Sequence, residues 1–94
     1  SSFKFQVENL KEEAEKELWE KFLKVCKEVS PLLEEKKFVQ VLKELVSLRE
    51  SIDHFFEEVM VMSEDVNLRN NRLSMLKNIV DLYLKIANFS LLVV

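Results

Sequence analysis

The chain has 94 residues and a formal net charge of −3, from 14 basic and 17 acidic side chains. It contains no glycine, which supplies the positive φ angles of hairpin turns and phosphate-binding loops, so the composition argues against β-hairpins, P-loops and dinucleotide folds. Apolar residues make up 48% and charged residues 33%, which is typical of a globular domain rather than a disordered chain.

The first predicted helix runs from about Phe5 to Val29. Apolar residues recur there at steps of three and four, which is the helical period: Val7, Leu10, Ala14, Leu18, Phe22, Val25 and Val29. Ser30-Pro31 is expected to end this helix, because the residue before a proline is pushed out of the α region.

Two further helices are predicted before residue 62. One runs from about Glu35 to Leu48, and its apolar stripe is Phe38, Val41, Leu42, Leu45 and Leu48. A break near Arg49-Glu50-Ser51, with Ser51 as an N-cap, separates it from a helix that carries Ile52, Phe55, Phe56 and Val59. The run Val59-Met60-Val61-Met62 is apolar throughout, so we expect it to be buried or packed between two layers.

The last helix is predicted to begin near Ser63 to Asp65, with either residue as its cap. Its apolar stripe is Leu68, Leu73, Leu76, Ile79, Val80, Tyr83, Ile86 and Ala87. The opposite, polar face is Asn70, Asn71, Ser74, Lys77, Asn78, Asp81, Lys85 and Asn88. The apolar tail from Phe89 to Val94 is expected to dock on this domain or on other parts of a longer protein. Together these elements predict an all-α bundle of four to five helices, as a single domain over residues 1–94.

The basic residues of the last helix stand out in an acidic chain. Residues 69–94 hold Arg69, Arg72, Lys77 and Lys85 against one acid, Asp81, which gives this end a charge of +3. A local basic stripe of this kind suits RNA phosphates, although overall acidity disfavours indiscriminate nucleic-acid binding. On a helical wheel both arginines fall on the apolar side of the helix.

Two roles for the arginines therefore compete. They form ion pairs with acids such as Asp53 or Asp65, or they contact RNA. Spacing favours the structural role, more strongly for Arg69 than for Arg72. The polar face is the better candidate for RNA contact, although spacing alone favours an ordinary solvated face. The candidate RNA-binding residues are Arg49, Arg72, Lys77 and Lys85, and the candidate structural ion pairs involve Asp53, Asp65 and Arg69.

Other kinds of site have weaker support in the sequence. His54 is the only histidine, so a metal site is not expected, and no catalytic nucleophile–base set is visible. No apolar run approaches ~20 residues, so no membrane span is predicted. The single cysteine, Cys26, cannot form an internal disulfide, which fits a reducing cytoplasm. Because the chain begins Ser1-Ser2-Phe3 without a methionine, we expect it to be a fragment of a longer protein.

One region closely resembles a known family. Ile52-Asp53-His54-Phe55-Phe56-Glu57-Glu58-Val59-Met60-Val61-Met62, Glu64-Asp65, Arg69, Asn71-Arg72-Leu73 and Leu76 are similar to the C-terminal end of the beta subunit of bacterial glycyl-tRNA synthetases. That family shows an aspartate followed by Phe-Phe, then Val-Met-Val, an acidic pair and Arg-x-Asn-Arg-Leu. Ile86 to Ser90 also resembles the family pattern, and the likeness covers about residues 38–91. The chain departs from it at Glu57 and Asn88, where Asp is more usual, and at Glu50-Ser51, where a proline often precedes the motif.

The resemblance implies an all-helical anticodon-binding domain of the DALR type, shared with arginyl-tRNA synthetase. It implies a cytoplasmic parent enzyme of two alpha and two beta subunits that uses ATP to attach glycine to its tRNA. Glycine activation then belongs to the alpha subunit, so this domain has no catalytic site and no cofactor of its own. The implied partners are the tRNA for glycine, the rest of the beta subunit and the alpha subunit, but neither membrane nor DNA. The alternatives are a structural module of the same enzyme without RNA contact, and an unrelated protein-interaction bundle.

Overall fold

A computed structural model describes residues 5–92 of the chain, with side chains through residue 88. A 3-10 helix, Val7–Asn9, precedes three α-helices: α1 (Glu13–Glu34), α2 (Phe38–Glu58) and α3 (Val66–Leu92). Residues 5–92 contain no strand. The all-α class is therefore confirmed, whereas the expected count of four to five helices is wrong, since this part of the chain has three α-helices.

The chain forms two compact units. One unit, Leu10–Met60, contains α1 and α2, which pack against each other as a helical hairpin. The other unit combines Ser1–Asn9 with Val61–Val94 and contains α3. Over the described range, none of the helices combines the length and the apolar character that crossing a membrane requires.

The start of α1 is fixed by a glutamate inside the helix. The Glu15 Oε1 atom accepts hydrogen bonds from the backbone amides of Glu12 (3.0 Å) and Lys11 (3.3 Å). This pairing satisfies amides at the helix entrance, as the glutamate of a capping box does. The predicted start at Phe5 is therefore wrong, and Val7, expected in the core stripe, is 51% exposed in the 3-10 helix.

Pro31 lies inside α1 rather than ending it. A proline in a helix interior costs about 3 kcal/mol, because its ring removes a hydrogen bond and crowds the preceding turn. Leu33, which follows it by two residues, is only 6% exposed, so continuing the helix buries an apolar side chain. That burial offsets part of the cost, and the prediction that Ser30-Pro31 ends the helix is wrong.

The turn between α1 and α2 caps the C-terminal end of α1 without a glycine. The Lys36 amide donates to the Leu33 carbonyl at 3.1 Å, and the Lys37 amide donates to the Leu32 carbonyl at 2.9 Å. This is the Schellman arrangement, in which the first residue past the cap adopts a left-handed conformation. Lys36 does so with a φ of 58°, a conformation that glycine adopts at lower cost.

The hairpin core comes from apolar residues that recur along one face of each helix. The fully buried positions, at 0% exposure, are Leu18 and Val25 of α1 and Leu48 and Phe55 of α2. Burying each such side chain contributes roughly 1.5–3 kcal/mol. The predicted core stripe is confirmed in α1 from Ala14 to Val29, and Leu10, which precedes the helix, is buried as well.

The predicted break at Arg49-Glu50-Ser51 is wrong, because α2 runs through it. Leu48 and Phe55 are seven residues apart, so an unbroken helix places both on the face that packs against α1. Ser51 is half-buried within the helix instead of capping one.

The apolar run after α2 is only partly buried. Val59 is 4% exposed, but Met60 and Met62 are 72% and 65% exposed. The chain leaves the helix at Val59 and turns at Val61 and Met62, so the side chains no longer share one face. The expectation that the whole run is buried is therefore wrong for both methionines.

The Asp65 carboxylate caps α3, as predicted. Its Oδ1 atom accepts hydrogen bonds from the amides of Asn67 (2.9 Å) and Leu68 (3.2 Å). The buried face of α3 is Asn71, Arg72, Met75, Ile79 and Ile86. The predicted stripe is rotated from this face, because Leu73 and Val80 are 42% and 53% exposed. Ala87 is exposed as well, and the predicted docking of Phe89 to Val94 falls outside the described side chains.

Candidate nucleic-acid interface

A buried amide fixes which side of α3 faces inward within its unit. Asn71 is 1% exposed, and its Oδ1 atom accepts a hydrogen bond from the Gln6 amide at 2.7 Å. Its Nδ2 atom donates to the Gln6 carbonyl at 3.1 Å. A buried side chain that is satisfied as both donor and acceptor holds one rotational setting of the helix.

The outward side of α3 carries the polar face predicted from the sequence, except for Asn71. Its exposed members are Lys77, Asp81, Lys85 and Asn88, while Asn70, Ser74 and Asn78 are half-buried. Asn71 was placed on this face wrongly. Asn71 shares its side of the helix with the buried Met75, four residues later, but Met75 was not part of the predicted stripe, so spacing gave no signal for this position.

The two lysines on this face are available to a ligand. Lys77 and Lys85 are both exposed, and within the described residues neither forms an ion pair. Eight residues of helix place them about 12 Å apart along the axis. They can therefore meet two different phosphate groups, with Asp81 between them as the one repulsive charge.

An apolar strip borders the lysines on α3. Leu73, Val80 and Leu84 are 42%, 53% and 57% exposed. At about 100° per residue they lie on one side of Lys77, whereas Asp81 and Lys85 lie on the other. The outward side of α3 thus combines positive charge with uncovered aliphatic surface.

Arg72 is the more buried of the two arginines. It is 4% exposed, whereas Arg69 is half-buried. So little exposed surface on Arg72 favours the structural role over contact with a phosphate, the reverse of the order that spacing gave. An RNA contact by Arg72 stays a prediction.

The remaining predicted site residues lie elsewhere. Arg49 is on α2, where its Nε atom is 4.0 Å from the Asp53 Oδ2 atom, and both side chains are largely exposed. An exposed pair one turn apart contributes only about 0.3–0.5 kcal/mol. Asp65 serves as the cap of α3, and the Arg69 amide donates to the Asp65 carbonyl. The predicted ion pairs of Arg69 with these acids stay predictions, as does RNA contact by Arg49.

The α1–α2 hairpin has an open cleft with mixed charges. It is lined by Glu17, Lys21, Ser47, Glu50, Ser51 and His54. The His54 Nε2 atom lies 3.8 Å from the Glu17 Oε2 atom, and both side chains are about half exposed. Among the described residues, no group of three or more histidines, cysteines and acids is placed to hold a metal ion.

Glu28 of α1 and Glu44 of α2 interact across the hairpin. A hydrogen bond with Glu28 on α1 raises the pKa of Glu44 on α2 above its ordinary value of 4.5, and burial raises it further. The Glu28 charge acts in the same direction, while Lys21 and Lys24 lower the pKa of Glu44. The pair couples the packing of α1 and α2 to pH.

Known proteins match almost the whole chain. The family model described as "DALR anticodon binding domain" matches residues 2–90. The beta subunit of glycine–tRNA ligase from Shewanella amazonensis is 49% identical over 83 residues, which cover 88% of this chain and 12% of the relative. The corresponding subunit from Persephonella marina is 42% identical over 86 residues, covering 92% and 12%. That from Desulforamulus reducens is 42% identical over 89 residues, covering 95% and 13%. The chain therefore spans only 12–13% of the length of these relatives.

Proposed function

Because the chain belongs to the DALR anticodon binding domain family, we propose that it binds tRNA at the anticodon end as part of a glycine–tRNA ligase beta subunit. The family match over residues 2–90 is the observation that carries the proposal. The relatives with 42–49% identity support glycine as the amino acid and the beta subunit as the parent chain.

The outward side of α3 is the proposed RNA-binding surface. The ammonium groups of Lys77 and Lys85 approach phosphates of the anticodon loop and release bound counterions, which favours association. The amides of Asn78 and Asn88 hydrogen-bond the edges of unstacked loop bases, which are the part of an RNA that proteins read most readily. The domain then holds the loop, while the chemistry takes place elsewhere in the enzyme.

The proposal also covers the activity and the assembly of the parent enzyme. It attaches glycine to its tRNA with ATP, in a cytoplasmic assembly of two alpha and two beta subunits. This domain contributes RNA contacts and no catalytic group, and it binds neither ATP nor another cofactor. Its partners are the tRNA for glycine, the rest of the beta subunit and the alpha subunit.

A nuclear magnetic resonance titration of the ¹⁵N-labelled chain tests the RNA contact directly. The ligands are the anticodon stem-loop of the glycine tRNA and the same stem with a scrambled loop. A salt concentration of ~150 mM screens non-specific phosphate attraction. We expect loop-dependent shifts that cluster on α3 between Lys77 and Asn88. Equal shifts with both RNAs, or no shifts, contradict the proposal for this chain.

A second candidate function is a subunit-interaction module without RNA contact. Exposed apolar side chains on α2 favour it, since Leu42 and Phe56 are 60% and 54% exposed and a protein surface readily covers such groups. The same titration separates the two candidates, because this module gives no loop-dependent shifts.

A further inference from the structure

α2 has a second apolar stripe, separate from the face that packs on α1. Its exposed apolar residues are Val39 (67%), Leu42 (60%), Val46 (57%) and Phe56 (54%), and Met60, just past the helix, is 72% exposed. The Phe56 ring is braced by the buried Phe55 ring, with centroids 5.5 Å apart and the rings edge to face. The stripe thus includes an aromatic side chain held in place but uncovered.

Two opposite charges interrupt this stripe at its middle. Arg49 and Asp53 have side chains that are 78% and 65% exposed, and only 4.0 Å separates their closest charged atoms. At about 100° per residue, positions 42, 46, 49, 53 and 56 fall within a sector of about 80°. The charged pair therefore lies in line with the apolar residues and is free to meet another surface.

The central part of the stripe, from Val46 to Phe56, is self-complementary. Arg49 and Asp53 lie at equal distances on either side of Ser51. Val46 and Phe56 are also equidistant from Ser51. Reversing the direction of the helix therefore exchanges Val46 with Phe56, and the basic Arg49 with the acidic Asp53.

We propose that this stripe binds the same stripe of a second copy of the chain, with the two α2 helices antiparallel about a two-fold axis at Ser51. In this register Arg49 faces the partner's Asp53, and Val46 faces the partner's Phe56. A two-fold axis makes every such contact occur twice, which is the defining property of an isologous interface.

The charges favour a second copy over other occupants. The stripe and its borders carry acids at Glu50, Asp53 and Glu57, which repel phosphate groups, so RNA is a poor occupant. An unrelated protein does not require a pattern that is symmetric about one residue. Because one helix face is small beside the roughly 1,200–2,000 Å² of a standard interface, we expect a weak dimer that depends on concentration.

The mass of the 94-residue chain in solution tests the proposal. We would measure sedimentation equilibrium from about 1 µM to about 1 mM, which brackets the affinities of weak interfaces. The average mass is expected to rise from 11.2 kDa toward twice that value. A mass of 11.2 kDa throughout this range overturns the proposal.

Charge-reversal variants test the antiparallel register of the two α2 helices. Arg49→Asp alone, or Asp53→Arg alone, opposes like charges across the axis, so each variant should stay monomeric. A mixture of the two variants places opposite charges at both contacts and should recover the doubled mass. Lys43→Asp, on α2 but outside the stripe, is the matched control and should dimerise like the parent chain.

Circular dichroism shows whether each variant is folded before its mass is interpreted, and both altered side chains are largely exposed. A single variant that dimerises as well as the parent chain contradicts the antiparallel register. So does a mixture of the two variants that stays monomeric.

Discussion

Asn71 in α3 holds the backbone of Gln6 by two hydrogen bonds, although 65 residues separate the two positions in the chain. Asn71→Ala leaves the Gln6 amide and carbonyl without these partners. Since each intramolecular hydrogen bond contributes about 0.5–1.5 kcal/mol, we expect the loss of both part-buried bonds to lower the free energy of unfolding by about 1–3 kcal/mol. Urea denaturation measures the change. Asn88→Ala, at an exposed site on the same helix, is the control and should shift stability by less than about 0.5 kcal/mol.

The two arginines of α3 should differ in their effect on stability. Arg72 is 4% exposed, so Arg72→Ala removes a buried stem as well as a charge, whereas Arg69 is only half-buried. We expect a loss of about 2–3 kcal/mol for Arg72→Ala and about 1 kcal/mol or less for Arg69→Ala. Thermal unfolding compares the two variants. We also expect Arg69→Ala to act mainly on stability. It should lower the melting temperature but leave the RNA affinity of the folded protein nearly unchanged. The opposite order of melting temperatures contradicts the ranking by burial.

Replacing Lys36 with glycine should stabilise the hairpin. Lys36 has a φ of 58°, where a side chain is crowded by its own backbone, and glycine removes that cost. Glycine also makes the unfolded chain more flexible, so the expected net gain is about 0.5–1 kcal/mol. Urea denaturation measures it, with Lys37→Gly as the control, since Lys37 has a negative φ of −87°. A loss of stability in Lys36→Gly contradicts the assigned turn.

Stability should depend on pH through Glu44. Because the folded state raises the pKa of Glu44 above 4.5, the folded protein holds this proton more tightly than the unfolded chain does. The contribution is therefore complete below the unfolded pKa and is lost as pH rises through the folded value. Glu44→Gln keeps a hydrogen-bond donor toward Glu28 at every pH. The variant should melt near the parent temperature at about pH 4 and above it at about pH 7. Glu20→Gln, an exposed acid on α1, should not reproduce this pattern.

The salt dependence of RNA binding should identify the lysines in contact with phosphates. Each such contact to a single strand contributes about 0.7 to the slope of log affinity against log salt concentration. Lys77→Gln combined with Lys85→Gln should therefore weaken binding and reduce that slope by about 1.4. Fluorescence anisotropy with the anticodon stem-loop measures both quantities. Lys16→Gln combined with Lys43→Gln removes the same charge from exposed sites on α1 and α2, and should leave the slope nearly unchanged.

Helical periodicity was enough to predict the core of α1. Leu18 and Val25 recur at a spacing that only one face of a helix accommodates, and both are fully buried. The helix ends were not predictable from local signals alone. Burial of Leu33 extends α1 past Pro31, and the left-handed Lys36 then ends it, so tertiary packing overrides the proline rule.

The rotation of α3 about its own axis could not be predicted from the spacing of its apolar residues. Aliphatic residues occur on two sides of this helix, so a wheel cannot decide whether Met75 or Val80 faces the core. The hydrogen bonds of Asn71 to Gln6 settle it in the folded chain, and they join positions far apart in sequence. The exposure of Lys77 and Lys85 could be predicted, but their contact with RNA could not, because a solvated lysine face has the same spacing.

The contact of Gln6 with Asn71 also constrains the order in which the chain can fold. It closes a loop that contains the whole α1–α2 hairpin, and closing a long loop costs more entropy than closing the short turn between those helices. During synthesis the hairpin can form as soon as α2 has left the ribosome. The other unit, which joins residues before and after the hairpin, cannot form until α3 has been made. Pulse-labelled amide exchange should then show protection in the hairpin before α3, and simultaneous protection of both contradicts this order. The segment around Gln6 is thus made before the hairpin but reaches its native partner after the hairpin has formed.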